Sequence, residues 1–141
     1  MPIAYYFVLP YTEDEGTQMF LVQRQLIQRL IDGKEEVYGQ IPDWAGQWVL
    51  VGGKGKEKEP ATEAALRLFR EQTGIDLSEK QAQTYGVEKR ALQELKDKAY
   101  NPFTVLFLEL SGEGLKKLKS DVRKNINDRT VFDGVLQDAD I

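Results

Sequence analysis

At 141 residues and 16.1 kDa, with 41% hydrophobic and 30% charged residues, the chain reads as one soluble globular domain spanning residues 1–141, long enough for a single buried core. No run approaches the roughly 18 apolar residues that a membrane span requires. The absence of cysteine and histidine excludes disulfides, thiolate chemistry and imidazole as ligand or base, and a net charge of −4 argues against general nucleic-acid binding.

The N-terminus, MPIAYYFVLPY, is apolar but has neither a basic leader nor a small-residue cleavage site, so it reads as a first strand, and a cytoplasmic location is expected. Residues 3–10 and 19–26 are rich in β-branched and aromatic side chains and bracket the polar turn TEDEGTQ, which predicts two strands. Residues 27–43 form a polar insertion carrying DGKEE, suited to a hairpin tip or loop. Residues 47–51 (QWVLV) predict a short strand running into Gly52 and Gly53. Over 60–73 the pattern is helical: Pro60 suits the first turn, Gly74 the stop, and Ala65, Leu66 and Phe69 recur at helical spacing. Residues 83–91 and 102–110 predict further strands, and Leu115, Leu118, Val122 and Ile126 mark one stripe of an amphipathic helix over 112–126. There is no internal repeat or linker, and the order of elements defines a mixed α/β domain.

Positive charge is unevenly spread. Lys54, Lys56 and Lys58 flank the glycine turn, and Lys116, Lys117, Lys119, Arg123 and Lys124 cluster further on. Local potential of this kind attracts phosphate despite an acidic total; a solvated helix face accounts for the second cluster.

The segment from Gly53 to Ile75, GKGKEKEPATEAALRLFREQTGI, resembles the box of the Nudix hydrolases, G-x5-E-x7-R-E-U-x-E-E-x-G-U, where U is a bulky apolar residue. Gly53, Glu59, Arg67, Phe69, Glu71, Gly74 and Ile75 fall in register, whereas Leu68 and Gln72 stand where the family has glutamates. The preceding strand into Gly52-Gly53 is similar to the family's lead-in, with Val51 at its usual proline. The resemblance implies an α/β/α sandwich around a mixed β-sheet over essentially the whole chain. It also implies Mg²⁺ or Mn²⁺ held by helix carboxylates at three- and four-residue spacing, an arrangement that neutralises phosphoryl oxygens and activates water. Here those positions hold leucine, glutamate and glutamine. Glu71 and Glu59 are therefore the candidate catalytic residues, and Glu71, Glu59 and the neutral Gln72 the candidate metal ligands. Glu57, Glu63, Asp76, Glu88 and Glu109 are the other acids available to rebuild such a centre.

Glu59 and Arg67 match the part of the box that ties the glycine loop to the helix, and Arg67 is also spaced to pair with Glu63 or Glu71. For ligand binding the candidates are Trp44, Gly53, Lys54, Lys56 and Arg67, with Trp44 an aromatic platform and Trp48 a core residue. Two readings stand. In one, a Nudix-like domain with lost or reduced hydrolysis binds a nucleoside-diphosphate-type ligand or a protein partner. In the other, a divergent Mg-dependent pyrophosphohydrolase cleaves a nucleoside diphosphate linked to another moiety. The resemblance also leaves room for a homodimer.

Overall fold

A computed structural model of the chain describes residues 4–24, 30–31, 34–35, 48–96, 102–128 and 136–138. In chain order its strands are β1 (Tyr5–Thr12), β2 (Gln18–Met19), β3 (Val22–Arg24), β4 (Leu30–Ile31), β5 (Lys34–Glu35), β6 (Trp48–Val49), β7 (Val51–Lys54), β8 (Val87–Lys96), β9 (Pro102–Leu110) and β10 (Leu136–Asp138). The helices are α1 (Ala61–Thr73), the short α2 (Glu79–Ala82), a 3-10 turn at Gln83–Tyr85, and α3 (Gly112–Asp128).

The main sheet is mixed. β1 runs parallel to β9, from Tyr5 opposite Phe103 to Tyr11 opposite Glu109, and β8 pairs antiparallel with the far side of β9. The other edge of β1 is shared: β7 pairs antiparallel with Tyr5 to Val8, and β2 with Tyr11 and Thr12. A central parallel strand is apolar on both faces, and the run FTVLFLEL in β9 has that character. A second, three-stranded sheet has the order β10-β3-β6, and β4 with β5 forms a hairpin inside the polar insertion.

Val8 of β1 and Leu106, Leu108 and Leu110 of β9 pack in one cluster with Ala65 and Phe69 of α1 and Leu115, Leu118 and Val122 of α3. The amphipathic stripe expected in the last helix is thus buried at Leu115, Leu118 and Val122; the side chain of Ile126 lies outside the described residues. Phe20 meets the Phe69 ring with centroids 6.0 Å apart. The architecture is the mixed-sheet α/β fold that the box implied.

Three local expectations are modified. The strand expected over 19–26 is interrupted at Phe20 and Leu21, with β2 in the main sheet and β3 in the second; residues 25–26 lie outside the described residues. The strand expected over 47–51 is broken at Leu50: Trp48–Val49 is β6 of the second sheet, while β7 starts at Val51 in the main sheet and continues through Gly52 and Gly53, which pair with Phe7 and Tyr6. And residues 83–85 are not strand: β8 begins only at Val87, since Tyr85 is buried and donates its hydroxyl to Asp121 of α3 at 2.7 Å. That long-range bond fixes a 3-10 turn where the local sequence favours a strand. Burial and the Asp121 carboxylate push the Tyr85 phenol well above its ordinary range.

Candidate functional site

The site is built on the strand-loop-helix unit β7–α1. Antiparallel pairing lays Gly52 against Phe7 so closely that a Cβ there would strike the Tyr6 carbonyl oxygen and come within 2.6 Å of the Phe7 Cα. Only a glycine lets the two backbones approach in this way. Beyond Lys54 the chain turns. The Glu59 N–H donates to the Lys56 carbonyl at 3.2 Å, the Lys56 N–H donates back to Glu59 Oε1 at 3.1 Å, and Lys58 adopts the left-handed conformation at φ 62°.

Helix α1 then starts at Pro60, whose carbonyl accepts the Ala64 N–H at 2.9 Å. It stops at Gly74, left-handed at φ 77°, whose N–H returns to the Arg70 carbonyl at 2.8 Å. Asn125 of α3 adds a bond of 2.8 Å from its amide to the Thr73 carbonyl, tying the end of α1 to the second helix.

Arg67 links loop and helix. Its Nε and Nη2 donate to Glu59 Oε2 and Oε1 at 2.7 and 2.9 Å, a bidentate pair, while Nη1 donates to both oxygens of Glu71 at 3.1 Å. The side chains of Arg67 and Glu59 are only 15% and 14% exposed, whereas that of Glu71 is 54% exposed. The guanidinium, helped by the Lys56 N–H, draws the Glu59 carboxyl down from its ordinary 4.5 to about 2. The same pairing raises Arg67 further. Of the two partners foreseen for Arg67 at four-residue spacing, Glu71 is the one bonded. Glu63 is exposed and takes no part in this network.

Gln72 behaves differently from its sequence-based assignment as a metal ligand. Its Nε2 donates to the Gly52 carbonyl oxygen at 2.8 Å, bridging the end of α1 to β7. A carbonyl only accepts, so this bond fixes the orientation of the amide. The acceptor Oε1 is left buried without a hydrogen-bond partner among the described residues. Gly53 lies beside it, with the Gln72 nitrogen 3.9 Å from where its Cβ would stand. The role of Gly52 was absent from the expected site. A glutamine has two donors as well as an acceptor, and that was the signal available for it. Leu68, one turn earlier, is 7% exposed and buried beside Ala64 and Ala65, on the inward face of α1.

Of the ligand-binding candidates, Lys54 and Lys56 are exposed at the end of β7, Gly53 adjoins Gln72, and Arg67 is committed to Glu59 and Glu71. Trp44 and the side chain of Trp48 lie outside the described residues. Asp76 accepts the Ser78 N–H at 2.8 Å, which lowers its carboxyl, and Glu109 accepts the Tyr11 hydroxyl at 3.3 Å.

The divalent cation implied by the box can be tested against these donors. A hard cation needs several carboxylate oxygens converging on one point. No group of three or more acidic side chains suited to a metal occurs among the described residues. Both oxygens of Glu59 and both of Glu71 are engaged by Arg67, and Gln72 aims a donor, not an acceptor, at the Gly52 carbonyl. The donor set does not fit the metal.

A sheet of this order whose glycine-bearing strand β7 leads into a loop pinned by Glu59 and Arg67, and a helix closed at Gly74, define the class of protein. The chain belongs to the NUDIX domain family, whose sequence pattern matches it over residues 4–123. Among solved structures it is similar to a C. elegans Ap4A hydrolase in a binary complex, at 15% identity and a TM-score of 0.46, covering 77% of this chain and 66% of that one. It is also similar to a mutT/nudix family protein from Listeria innocua, at 18% identity and a TM-score of 0.47, covering 85% and 73%. A third is the NUDIX domain of Shewanella oneidensis NrtR complexed with ADP ribose, at 16% identity and a TM-score of 0.43, covering 79% and 60%. The chain thus spans less than two thirds of the length of the first and third of these. No curated protein matches it.

Proposed function

We propose that this Nudix domain is a metal-independent binding module for a nucleoside-diphosphate-type ligand and that hydrolysis has been lost or much reduced. The observation that carries the reading is the 2.8 Å bond from Gln72 to the Gly52 carbonyl. It joins helix to strand by a neutral amide, with no cation needed to hold the two together. Leu68 on the core face and Glu71 under the Arg67 guanidinium support the same view. Positive charge comes instead from Lys54 and Lys56, exposed on a loop that the Glu59–Arg67 pair holds in place. Their ammonium groups act as point charges for diphosphate oxygens.

Thermal denaturation with ADP-ribose, a dinucleotide or a nucleoside triphosphate, in EDTA and in Mg²⁺ or Mn²⁺, tests this. Binding to the native state raises the midpoint by mass action. The expected result is a rise in EDTA that added metal leaves unchanged. A rise found only with metal, accompanied by phosphate release, overturns the reading. No response to any nucleotide moves the assignment to a protein partner.

The Leu68→Glu/Gln72→Glu double variant is a complementary check: three carboxylates at 68, 71 and 72 should confer Mn²⁺-dependent stabilisation that the unaltered protein lacks. A divergent pyrophosphohydrolase remains the second reading, favoured by the 54% exposure of the Glu71 side chain. On that reading, Glu71→Gln abolishes metal-dependent turnover.

A further inference from the structure

Between β7 and α1 one residue adopts a backbone conformation that its type disfavours. The Glu59 N–H bonded to the Lys56 carbonyl closes a four-residue turn, and the third residue of that turn, Lys58, is left-handed at φ 62°. This position suits glycine or asparagine, because a longer L-side chain crowds the backbone there. Lys58 is exposed, and among the described residues no hydrogen bond or ion pair engages its ammonium group. It also lies two residues before Pro60, next to the positive end of α1, where a cation is unfavourable.

Among the described residues one other left-handed residue is not glycine: Glu15, at φ 58°. It follows Asp14, whose carboxylate accepts the Gly112 N–H at 2.7 Å where α3 begins. A helix dipole favours negative charge at that end, so Glu15 has a local use. Lys58 has the opposite charge at the same kind of helix end. Residues held in costly conformations mark places where a side chain serves function rather than stability.

The segment around Lys58 is fixed from both sides. The Gly55 N–H donates to the Ala4 carbonyl at 2.9 Å, and the Tyr6 ring lies so close that a Cβ on Gly55 would strike it. Glu59 is held by the bidentate Arg67 pair. Lys54, Lys56 and Lys58 are therefore three exposed cations on alternate residues of a backbone already in place.

We propose that Lys58 is a phosphate-binding residue, the third cation of the site formed with Lys54 and Lys56, and that its strained turn is kept for this contact. The inference rests on the reading of this loop as a diphosphate site and deepens it. The loop recognises the phosphate chain of the ligand, not its base.

Stability and binding make opposite demands on residue 58, which gives a direct test. Lys58→Asn removes the ammonium group and relieves the backbone. In EDTA its urea midpoint should rise by about 0.3 M. Its Kd for pyrophosphate, ADP-ribose and ATP, measured by calorimetry in the same buffer, should weaken about fivefold in each case. Lys58→Arg keeps both charge and strain and should match the parent in both measurements.

Lys116→Asn removes the same charge from α3, one turn after Gly112 and thus at the end of β1 opposite Lys54, and should leave every Kd unchanged. An equal loss of affinity in Lys116→Asn would show that only total charge matters, and overturns the contact. So does a Lys58→Asn midpoint that falls together with affinity, which marks a structural residue. Unchanged affinity in Lys58→Asn, with the parent binding, overturns this proposal alone. A parent that binds none of the three ligands removes the diphosphate reading itself, and Lys58 falls with it.

Discussion

A primary amide carries donors and an acceptor, and at position 72 the fold uses a donor. Replacing Gln72 by glutamate would set a carboxylate oxygen against the Gly52 carbonyl oxygen, now 2.8 Å from the amide nitrogen, with nothing between them. Gln72→Glu should lose about 1–3 kcal/mol of stability at neutral pH in EDTA, read from urea midpoints. The loss should shrink in acid as a protonated carboxyl regains a donor. A variant as stable as the parent would mean that the bond contributes nothing. Glu59 gives the second prediction at this scale. Its folded pKa, about 2, lies below the ordinary 4.5, so its contribution is complete above about pH 4.5 and fades as pH falls towards 2. The stability gap between the parent and Glu59→Gln should therefore be constant from neutral pH to about 4.5 and close below it. A gap independent of pH would show that the Arg67 pair does not hold the carboxyl ionised.

For the elements, two glycines of the box perform different work and should fail differently. Gly74 closes α1 at φ 77°, a conformation that costs an L-residue about 1–2 kcal/mol, and Gly74→Ala should lose that much in a urea titration. At Gly52 the obstacle is contact with Tyr6 and Phe7, so Gly52→Ala forces β1 and β7 apart and should cost about 3 kcal/mol. Equal losses would argue against the close strand approach.

The same contrast explains what was legible beforehand. Pro60 and Gly74 are local signals, and α1 runs between them as expected; β9 spans residues 102–110 as expected because a strand inside the sheet must be apolar throughout. The extension of β7 through its glycines was hidden, since glycine pairs announce turns more often than strands. The link from Gln72 to Gly52 joins residues 20 apart in sequence. No periodicity encodes such a contact, and the choice of Glu59 and Glu71 over Glu63 as partners of Arg67 likewise depends on where the loop folds back.

Taken whole, the molecule carries a net charge of −4 and would repel an anion at long range. Any diphosphate it binds must feel the nearby lysines instead, over a distance shorter than the Debye length of about 10 Å at 0.1 M salt. That requirement separates the binding module from the enzyme without any assay of turnover. If Lys54 and Lys56 provide the charge, ligand-induced stabilisation should survive EDTA and weaken as salt is raised. A ligand at a hundred times its dissociation constant stabilises by about 2.7 kcal/mol. For a chain of this size that corresponds to a rise of roughly 8 °C in Tm. Lys54→Gln/Lys56→Gln should lose most of this rise while keeping the Tm of the unliganded protein, because both side chains are exposed. Should the rise disappear in EDTA and persist in the double variant, a cation held elsewhere in the fold supplies the charge and the lysines serve solubility alone.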